Sequence, residues 1–207
     1  MKLYLVRHGV TQDNIDGVHQ TDTTAINKKG EKQAQLVAKK LVNIKIDKMY
    51  VSPLGRTYQT AEIISKSLNV PILINEKLKE IKKPTEIIGK DHKDTEAFQI
   101  NKKIRENYHN LSWHYSDEEN FRDIRKRCTS FLKSIEKNSK EDEGILLITH
   151  NYIAKALVSL AIFRNELTSR IFLDFYDNTV FSNTGIIEME YEPTTGFKLI
   201  SWNAVVS

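Results

Sequence analysis

Short apolar runs alternate with amphipathic segments along most of the chain. Residues 3–6, 46–51 and 144–149 are rich in strand-favouring side chains and are bounded by polar positions. The last of these runs reads GILLIT without interruption, which indicates a central strand buried on both faces. A fourth run, residues 70–74, contains Pro71 and is therefore expected at a strand start or at an edge of the sheet.

The amphipathic segments predict four helices between and after these strands. In each one, apolar positions spaced by three or four residues mark a single face. The first helix follows Asn27, a residue type suited to capping a helix start. Cys128 lies on an apolar face of this kind, which predicts a small buried hydrophobe and not a nucleophile. The four apolar faces are Ala34, Val37, Ala38 and Leu41; Ala61, Ile64 and Leu68; Phe121, Ile124, Cys128, Phe131, Leu132 and Ile135; and Ile153, Ala156, Leu157 and Leu160.

Two further segments complete the pattern. Residues 186–191 and 197–202 flank the turn-favouring sequence EPTTG and predict a β-hairpin. Residues at about 75–120 are rich in Lys, Glu, Asp, His and Asn and lack strand signals. They predict a helical insertion over the sheet, with Trp113 and Tyr115 as its contacts to the body. Strands that alternate with helices are typical of an α/β fold.

Composition adds few constraints to this picture. The 207 residues are 40% hydrophobic and 28% charged, as in an ordinary soluble globular protein. The net charge of +4 comes from scattered lysines, which favour anionic ligands slightly but do not form the basic stripe of a nucleic-acid-binding protein. A single cysteine excludes an intrachain disulfide and favours a reducing compartment. No apolar run suits a signal peptide or a membrane span, so a cytoplasmic protein is predicted.

Polar residues suited to phosphate chemistry follow three of the predicted strands. Arg7 and His8 end the first, Arg56 follows the second, and His150 ends the run GILLIT. The carboxyl ends of parallel strands meet at one edge of a sheet, where α/β proteins bind ligands. Arg7 and His8 alone would also suit a solvated strand end. Two arginines and two histidines that converge form a cationic pocket suited to a phosphoryl group.

Three segments resemble the signatures of the histidine phosphatase superfamily, which includes cofactor-dependent phosphoglycerate mutases and related phosphatases. They read LVRHGVTQDN at 5–14, SPLGRTYQTA at 52–61 and ITHN at 148–151. They occur in the family's order, and the likeness covers nearly the whole chain. The resemblance implies a three-layer α/β/α sandwich with a mixed, mostly parallel sheet. We expect a single domain over residues 1–207, with the insertion at about 75–120.

The resemblance also implies a role for each charged residue at the strand ends. His8 would attack phosphorus and carry the phosphoryl group as phosphohistidine. Arg7, Arg56 and His150 would hold the phosphoryl oxygens. Neither a metal ion nor a cofactor is expected, because these three side chains already supply positive charge.

Four neighbouring residues are expected to assist in binding the phosphoryl group. Gly9 lets the backbone turn and approach a ligand closely. Thr11 and Asn14 offer a hydroxyl and an amide from the loop that follows. Asn151 would add its backbone N–H at a helix start, where the helix dipole favours an anion.

The proton donor is the least certain part of the resemblance. The family's acid usually lies after the third strand in a Leu-x-Glu context, and LKE at 78–80 marks Glu80. A Gly-rich, aromatic and acidic stretch commonly follows it, whereas this chain has IKKPTEIIG at 81–89. Substrate recognition there does not transfer, and Glu86 is a weaker alternative for the acid. Val10 and Asn151 also depart from the family, which often has Glu and Gly at these positions.

Three functions fit these residues. The favoured one is a metal-independent phosphatase that hydrolyses a small phosphorylated metabolite or a phosphopeptide. A phosphoglycerate mutase must keep water from phosphohistidine, which usually takes a longer insertion and an ordered tail, whereas this chain ends soon after the hairpin. A non-catalytic module that binds phosphorylated ligands is disfavoured because every catalytic residue type is present. No nucleic-acid or membrane partner is expected, and a homodimer stays open.

Overall fold

One mixed sheet of six strands organises the computed structural model, which describes residues 1–205. The strands are β1 (Lys2–Arg7), β2 (Lys48–Val51), β3 (Ile72–Ile74), β4 (Gly144–Thr149), β5 (Ile186–Glu192) and β6 (Gly196–Ala204). Their spatial order is β3-β2-β4-β1-β5-β6. Strands β3, β2, β4 and β1 pair with one another in parallel. β5 pairs antiparallel with β1, and β6 pairs antiparallel with β5. The predicted mixed, mostly parallel sheet is confirmed.

Seven α-helices lie within the described residues, and most of them cover the two faces of this sheet. They are α1 (Gln12–Asp16), α2 (Lys28–Leu41), α3 (Gly55–Leu68), α4 (Thr95–Glu106), α5 (Phe121–Asn138), α6 (Asn151–Phe163) and α7 (Ser169–Asn178). Helices α2 and α3 share one buried apolar cluster with the sheet, and α5 and α6 share another. None of the described helices is long and apolar enough to cross a membrane.

Side-chain alternation along the central strands explains the three layers. In β1, Leu3 and Leu5 belong to the cluster under α5 and α6, whereas Tyr4 and Val6 belong to the cluster under α2 and α3. All six residues of β4 are buried, as the uninterrupted run predicts. A strand that is apolar on both faces requires a helical layer on each side. The predicted three-layer α/β/α sandwich is confirmed.

The boundaries of several elements differ from the predicted ones. β2 begins at Lys48, two residues later than predicted, and the Asp47 carboxylate just before it accepts a hydrogen bond from the Gly144 N–H. β3 begins after Pro71 and lies at the sheet edge, as the proline predicts. Both hairpin strands are longer than predicted. Helix α7 was not predicted, and residues 206–207, which end the tail, lie outside the described residues.

The insertion is less helical than the sequence suggests. Residues 75–120 contain one α-helix, α4, and two single 3-10 turns at Glu76–Leu78 and Thr85–Ile87. Much of the remainder is irregular, and acidic side chains satisfy its backbone. The Asp117 carboxylate accepts hydrogen bonds from the N–H and the hydroxyl of Thr85.

The contacts between the insertion and the body also differ from the prediction. Tyr115 packs on a small apolar cluster inside the insertion, so its predicted contact with the body is wrong. Tyr108 makes that contact instead, because its hydroxyl hydrogen-bonds the hydroxyl of Tyr152 in α6 and its ring packs against Phe121 in α5. Trp113 lines a cavity together with Tyr152. The spacing of aromatic residues could not separate these partners.

Candidate active site

The carboxyl ends of three parallel strands bring the predicted charged residues together. β1 and β4 pair in register with Arg7 opposite Thr149, so His8 and His150 follow side by side. The two imidazole centroids lie 5.3 Å apart. Arg56 joins them from the first turn of α3, directly after β2. His8, Arg56 and His150 are buried, with exposed fractions of 2%, 3% and 0%.

His8 has one ring nitrogen free for chemistry. Its Nδ1 lies 2.8 Å from the Gly9 carbonyl oxygen. A carbonyl only accepts hydrogen bonds, so Nδ1 carries the proton, and Nε2 keeps its lone pair in the neutral ring. Burial, followed by the charges of Arg56 and Arg7, lowers the pKa of His8 well below its usual value. His8 is therefore neutral near neutral pH, with a lone pair on Nε2.

Arg7, Arg56 and His150 lie around His8, and each of them has one buried nitrogen without a protein partner among the described residues. Arg7 Nη1 donates to the Phe181 carbonyl at 2.7 Å, and Arg56 Nη1 donates to the Thr21 carbonyl at 3.0 Å. The Nε atoms of both arginines and Nδ1 of His150 are buried and have no hydrogen-bond partner among the described residues. Such an unpaired buried group costs about 1–3 kcal/mol. An anion with several acceptor oxygens would satisfy all three.

His150 and the helix behind it add to this anion site. The Ser52 hydroxyl lies 2.8 Å from Nε2 of His150, and we assign the hydroxyl as the donor, which places the ring proton on the unpaired Nδ1. Burial, followed by the Arg56 charge, lowers the pKa of His150 well below its usual value. Helix α6 begins at Asn151 without a side-chain cap, so its positive end faces the same pocket. The Asn151 side chain donates to the Tyr176 hydroxyl at 3.3 Å.

The loop after β1 is held by side-chain hydrogen bonds. Thr11 and Asn14 form a reciprocal capping box at the start of α1, so the Thr11 hydroxyl is engaged inside the loop. Asn183 donates from Nδ2 to the His8 carbonyl at 3.0 Å and to Asn14 Oδ1 at 3.2 Å. Asn183 thereby ties the loop to the end of β1. Sequence reasoning missed it, because no local pattern links it to His8.

Gly9 is required for a reason that differs from the predicted one. A Cβ atom at Gly9 would lie 2.7 Å from the Gly30 carbonyl oxygen in α2. Its N–H donates to the Thr60 hydroxyl of α3 at 3.0 Å. The glycine therefore allows close packing of backbone on backbone, which fixes the position of His8. Its predicted close approach to a ligand is not what the packing demands.

Glu80 reaches the same pocket from the segment after β3. One oxygen of its carboxylate accepts a hydrogen bond from the Tyr152 N–H in the first turn of α6, at 3.3 Å. The negative charge of Glu80 opposes the burial that lowers the pKa of Arg7 and of Arg56. Glu86 is exposed, and its charge acts on Lys90. The geometry thus places Glu80, and not Glu86, beside the arginines.

Arg127 holds the backbone that carries Glu80. Its Nη1 donates to the carbonyls of Lys77 and Lys79 at 2.8 and 2.9 Å, and its Nη2 donates to the carbonyl of Glu80 at 3.3 Å. Glu119 pairs with the same guanidinium at 2.7 Å. One side chain from α5 thus satisfies three carbonyls of an irregular segment.

The remaining histidines and the cysteine lie outside this pocket. His19 contacts His92 with ring centroids 4.3 Å apart, His114 pairs with Asp123, and His109 hydrogen-bonds Ser169. Within residues 1–205, no cluster of three or more His, Cys, Asp or Glu side chains could hold a metal ion. Burial raises the pKa of the Cys128 thiol to about 12, so this residue is inert at neutral pH.

Known proteins with the same architecture support this interpretation. A Hydrogenobacter thermophilus protein assigned by name to the phosphoserine phosphatases is 31% identical over 92% of this chain and 90% of its own length. A Cronobacter sakazakii protein named for phosphoglycerate mutase is 34% identical, over 46% of this chain and 44% of its own length. An Escherichia coli structure named for alpha-ribazole-5'-P phosphatase superposes with a TM-score of 0.84 at 20% identity, covering 99% of this chain and 96% of its own.

The match that decides the family spans almost the whole chain. The model of the histidine phosphatase superfamily, branch 1, matches residues 3–205, which include all three strand-end segments and Glu80. The relatives named as phosphatases support an enzyme with phosphatase activity. With the fold and the pocket in agreement, this chain belongs to the histidine phosphatase superfamily, branch 1.

Proposed function

We propose that this protein hydrolyses a phosphomonoester through a phosphohistidine formed on His8. One observation carries the proposal: the unprotonated nitrogen of His8 lies among the unpaired buried donors of Arg7, Arg56 and His150. Phosphoryl transfer requires mainly an in-line nucleophile and fixed positive charge at the equatorial oxygens. The free Nε2 of His8 and the guanidinium groups of Arg7 and Arg56 support both requirements.

In the first proposed step, Nε2 of His8 bonds to phosphorus as the bond from phosphorus to the leaving oxygen breaks. A protonated Glu80 carboxyl gives its proton to that oxygen, and the alcohol leaves. In the second step, water attacks phosphorus as the bond to His8 breaks, phosphate leaves with the protons of the water, and Glu80 regains its proton from solvent. Arg7, Arg56 and His150 hold the oxygens throughout. Because the guanidinium groups of Arg7 and Arg56 supply the positive charge, we propose that no metal ion is required.

Trapping of the intermediate tests this mechanism. Rapid acid quench after mixing with ³²P-labelled substrate would trap only a small signal, because phosphohistidine is labile in acid, so the quench is made in base. We expect a base-stable, acid-labile label on the wild type and none on His8→Ala. His92→Ala, which alters an exposed histidine outside the pocket, serves as the control. Label that accumulates on His8→Ala would overturn the assignment.

Metal independence is tested on the same enzyme. Dialysis against a chelator should leave the rate of p-nitrophenyl phosphate hydrolysis unchanged, and vanadate should inhibit competitively because it mimics five-coordinate phosphorus. A loss of rate that added Mg²⁺ or Zn²⁺ restores would contradict the proposal.

The mutase is the second candidate, and partial matches to proteins named for phosphoglycerate mutase favour testing it. We supply 3-phosphoglycerate with and without its bisphosphate primer and follow 2-phosphoglycerate and free phosphate. We expect mainly phosphate. Efficient isomerisation with little phosphate would make the mutase the better assignment. O-phosphoserine is the first phosphatase substrate to test, given the Hydrogenobacter relative.

A further inference from the structure

A cavity of about 220 Å³ adjoins the phosphoryl pocket beneath the insertion. Tyr152 and Tyr176 belong to both spaces, because the Tyr152 N–H binds Glu80 and the Tyr176 hydroxyl accepts from Asn151. The cavity therefore lies next to the side of the pocket that holds Glu80. The proposed acid protonates the leaving oxygen, so the alcohol part of a substrate extends past Glu80. We expect this part of the substrate to occupy the cavity.

Four charged side chains line the cavity, and three of them are engaged by the protein. Arg105 pairs with an aspartate of α7, and Glu119 pairs with the arginine that holds the Glu80 backbone. One oxygen of Glu118 accepts the N–H of Tyr115 at 3.1 Å. Lys83 has no hydrogen bond and no ion pair within 4.0 Å to any residue in the described part of the chain.

The surroundings of Lys83 suit an anionic ligand. The side chain is half-buried on the cavity wall, and burial lowers the pKa of its ammonium, an effect that the charges of Glu118 and Glu80 oppose. A half-buried ammonium without a protein partner is poorly compensated, and a carboxylate supplied by a ligand would pair with it. Glu118 is 7% exposed and makes no hydrogen bond through its second oxygen to the described residues. That oxygen can accept from a donor next to the bound carboxylate.

We propose that Lys83 selects phosphomonoesters whose alcohol carries a carboxylate, with Glu118 accepting a hydrogen bond from an ammonium or hydroxyl on the neighbouring carbon. This inference rests on the proposed phosphatase activity and names its substrate class: small phosphorylated hydroxy acids and hydroxy amino acids. The cavity, lined by Tyr108, Trp113 and Tyr152, has room for the carbon skeleton of such a small substrate. The residues that follow Glu80 thereby gain a role in specificity.

Paired substrates test the proposal by selectivity. O-phosphoserine is compared with O-phosphoethanolamine, and 3-phosphoglycerate with glycerol 3-phosphate, so that each pair differs mainly in the carboxylate. Lys83→Met should lower the ratio of kcat/KM within each pair by about 10-fold to 100-fold, as expected for a lost charge-assisted hydrogen bond. Lys83→Arg should retain most of the ratio. Lys82→Met is the matched control, because Lys82 is the adjacent lysine but does not line the cavity and pairs with Asp117 instead.

Binding measurements separate this proposal from the proposed activity. In the His8→Ala background, calorimetry should show that Lys83→Met weakens O-phosphoserine by the same factor as in kinetics and inorganic phosphate by less than about 2-fold. An equal loss for both ligands would overturn the selectivity of Lys83. Failure of the wild type to hydrolyse p-nitrophenyl phosphate would overturn the phosphatase proposal, while the calorimetric ratio would still decide the role of Lys83.

Glu118→Gln identifies the second ligand group. A larger loss of affinity for O-phosphoserine than for 3-phosphoglycerate supports an ammonium beside Glu118, and an equal loss for both supports a hydroxyl-type donor. Unchanged affinity for both would overturn the role of Glu118.

Discussion

The phosphoryl pocket and the cavity beside it are built in different ways. In the pocket, Arg7, His8, Arg56 and His150 each lie at or next to a strand end or helix start, and the sheet register brings His8 and His150 side by side. The cavity is assembled from residues 81–120, the start of α6 and α7, which are distant in sequence and partly irregular. We expect the strand ends to hold the phosphoryl group, and the mixed wall of helices and irregular segments to hold what is attached to it.

Glu80 lies where the two regions meet, and its substitution should have the largest effect. We expect Glu80→Gln to slow hydrolysis of an alkyl phosphate by about 10²–10⁴-fold, because an alkoxide leaves poorly without a proton. Hydrolysis of p-nitrophenyl phosphate should barely change, since phenolate leaves unaided. Steady-state kinetics on both substrates measure this, with Glu86→Gln as the exposed control. Equal losses on both substrates would mean that Glu80 only shapes the pocket.

Substitution of Arg127 tests whether the irregular segment that carries Glu80 needs the hydrogen bonds of this side chain to hold Glu80 in the pocket. Arg127→Met removes donors to three carbonyls, so Glu80 should lose its position, and alkyl phosphate hydrolysis should fall by up to about 10²-fold. Urea denaturation should show a loss of about 1.5–3 kcal/mol in the free energy of unfolding. Arg125→Met is the control on the same helix, because Arg125 donates to the Asn165 carbonyl and not to the segment that carries Glu80. An unchanged alkyl-to-aryl rate ratio would contradict a positioning role.

Gly9 tests how tightly the pocket itself is packed. Gly9→Ala pushes a methyl group against the Gly30 carbonyl, which should lower the free energy of unfolding by about 1–3 kcal/mol and also displace His8. Gly17→Ala is the matched control, because Gly17 has a φ of +70° but open space around it. It should cost about 1–2 kcal/mol of backbone strain and leave the rate unchanged. Normal turnover by Gly9→Ala would show that the pocket tolerates movement of this strand end.

The buried histidines of the pocket should make the free energy of unfolding depend on pH, and among the described residues the cavity contains no histidine that would do so. His8 and His150 have lowered pKa values in the folded chain, so between those values and about 6.5 only the unfolded chain binds the extra protons. The free energy of unfolding should therefore fall as pH drops below about 6.5, with a limiting slope of about 1.4 kcal/mol per pH unit for each histidine. Urea titrations at pH 7.0 and at pH 5.5 measure this slope, and His8→Asn should reduce it. A stability that is flat over this range would contradict the burial of neutral histidines.

The parts of the molecule that follow local rules were predictable from sequence. The buried strand GILLIT, the helix that begins at Phe121 and the Pro71 edge strand each follow from apolar spacing or backbone chemistry, and each is confirmed. The meeting of Arg7, Arg56 and His150 follows from the rule that parallel strand ends share one edge. The roles of these residues and of Glu80 stay predictions.

Contacts between distant segments could not be predicted in the same way. Asn183 at the His8 carbonyl, the role of Arg127 as a clamp, and the contact of Tyr108 with Tyr152 join residues that no short spacing links. The Thr11 hydroxyl was expected to assist the ligand, but it caps α1. A local motif shows which chemical groups are present, not which of them the protein itself already satisfies.

The sequence by itself determined the periodicity of the elements, and with it the layered sheet and the strand-end chemistry of Arg7, His8, Arg56 and His150. Apolar alternation is a local property of the sequence. A shift of one residue in the pairing of a strand would turn all of its apolar side chains away from the core. Only the tertiary structure decided that Glu80, and not Glu86, lies beside the arginines, and that Lys83 faces a cavity without a protein partner. Those outcomes depend on how irregular segments pack, where many weak contacts between distant residues compete and no local pattern selects among them.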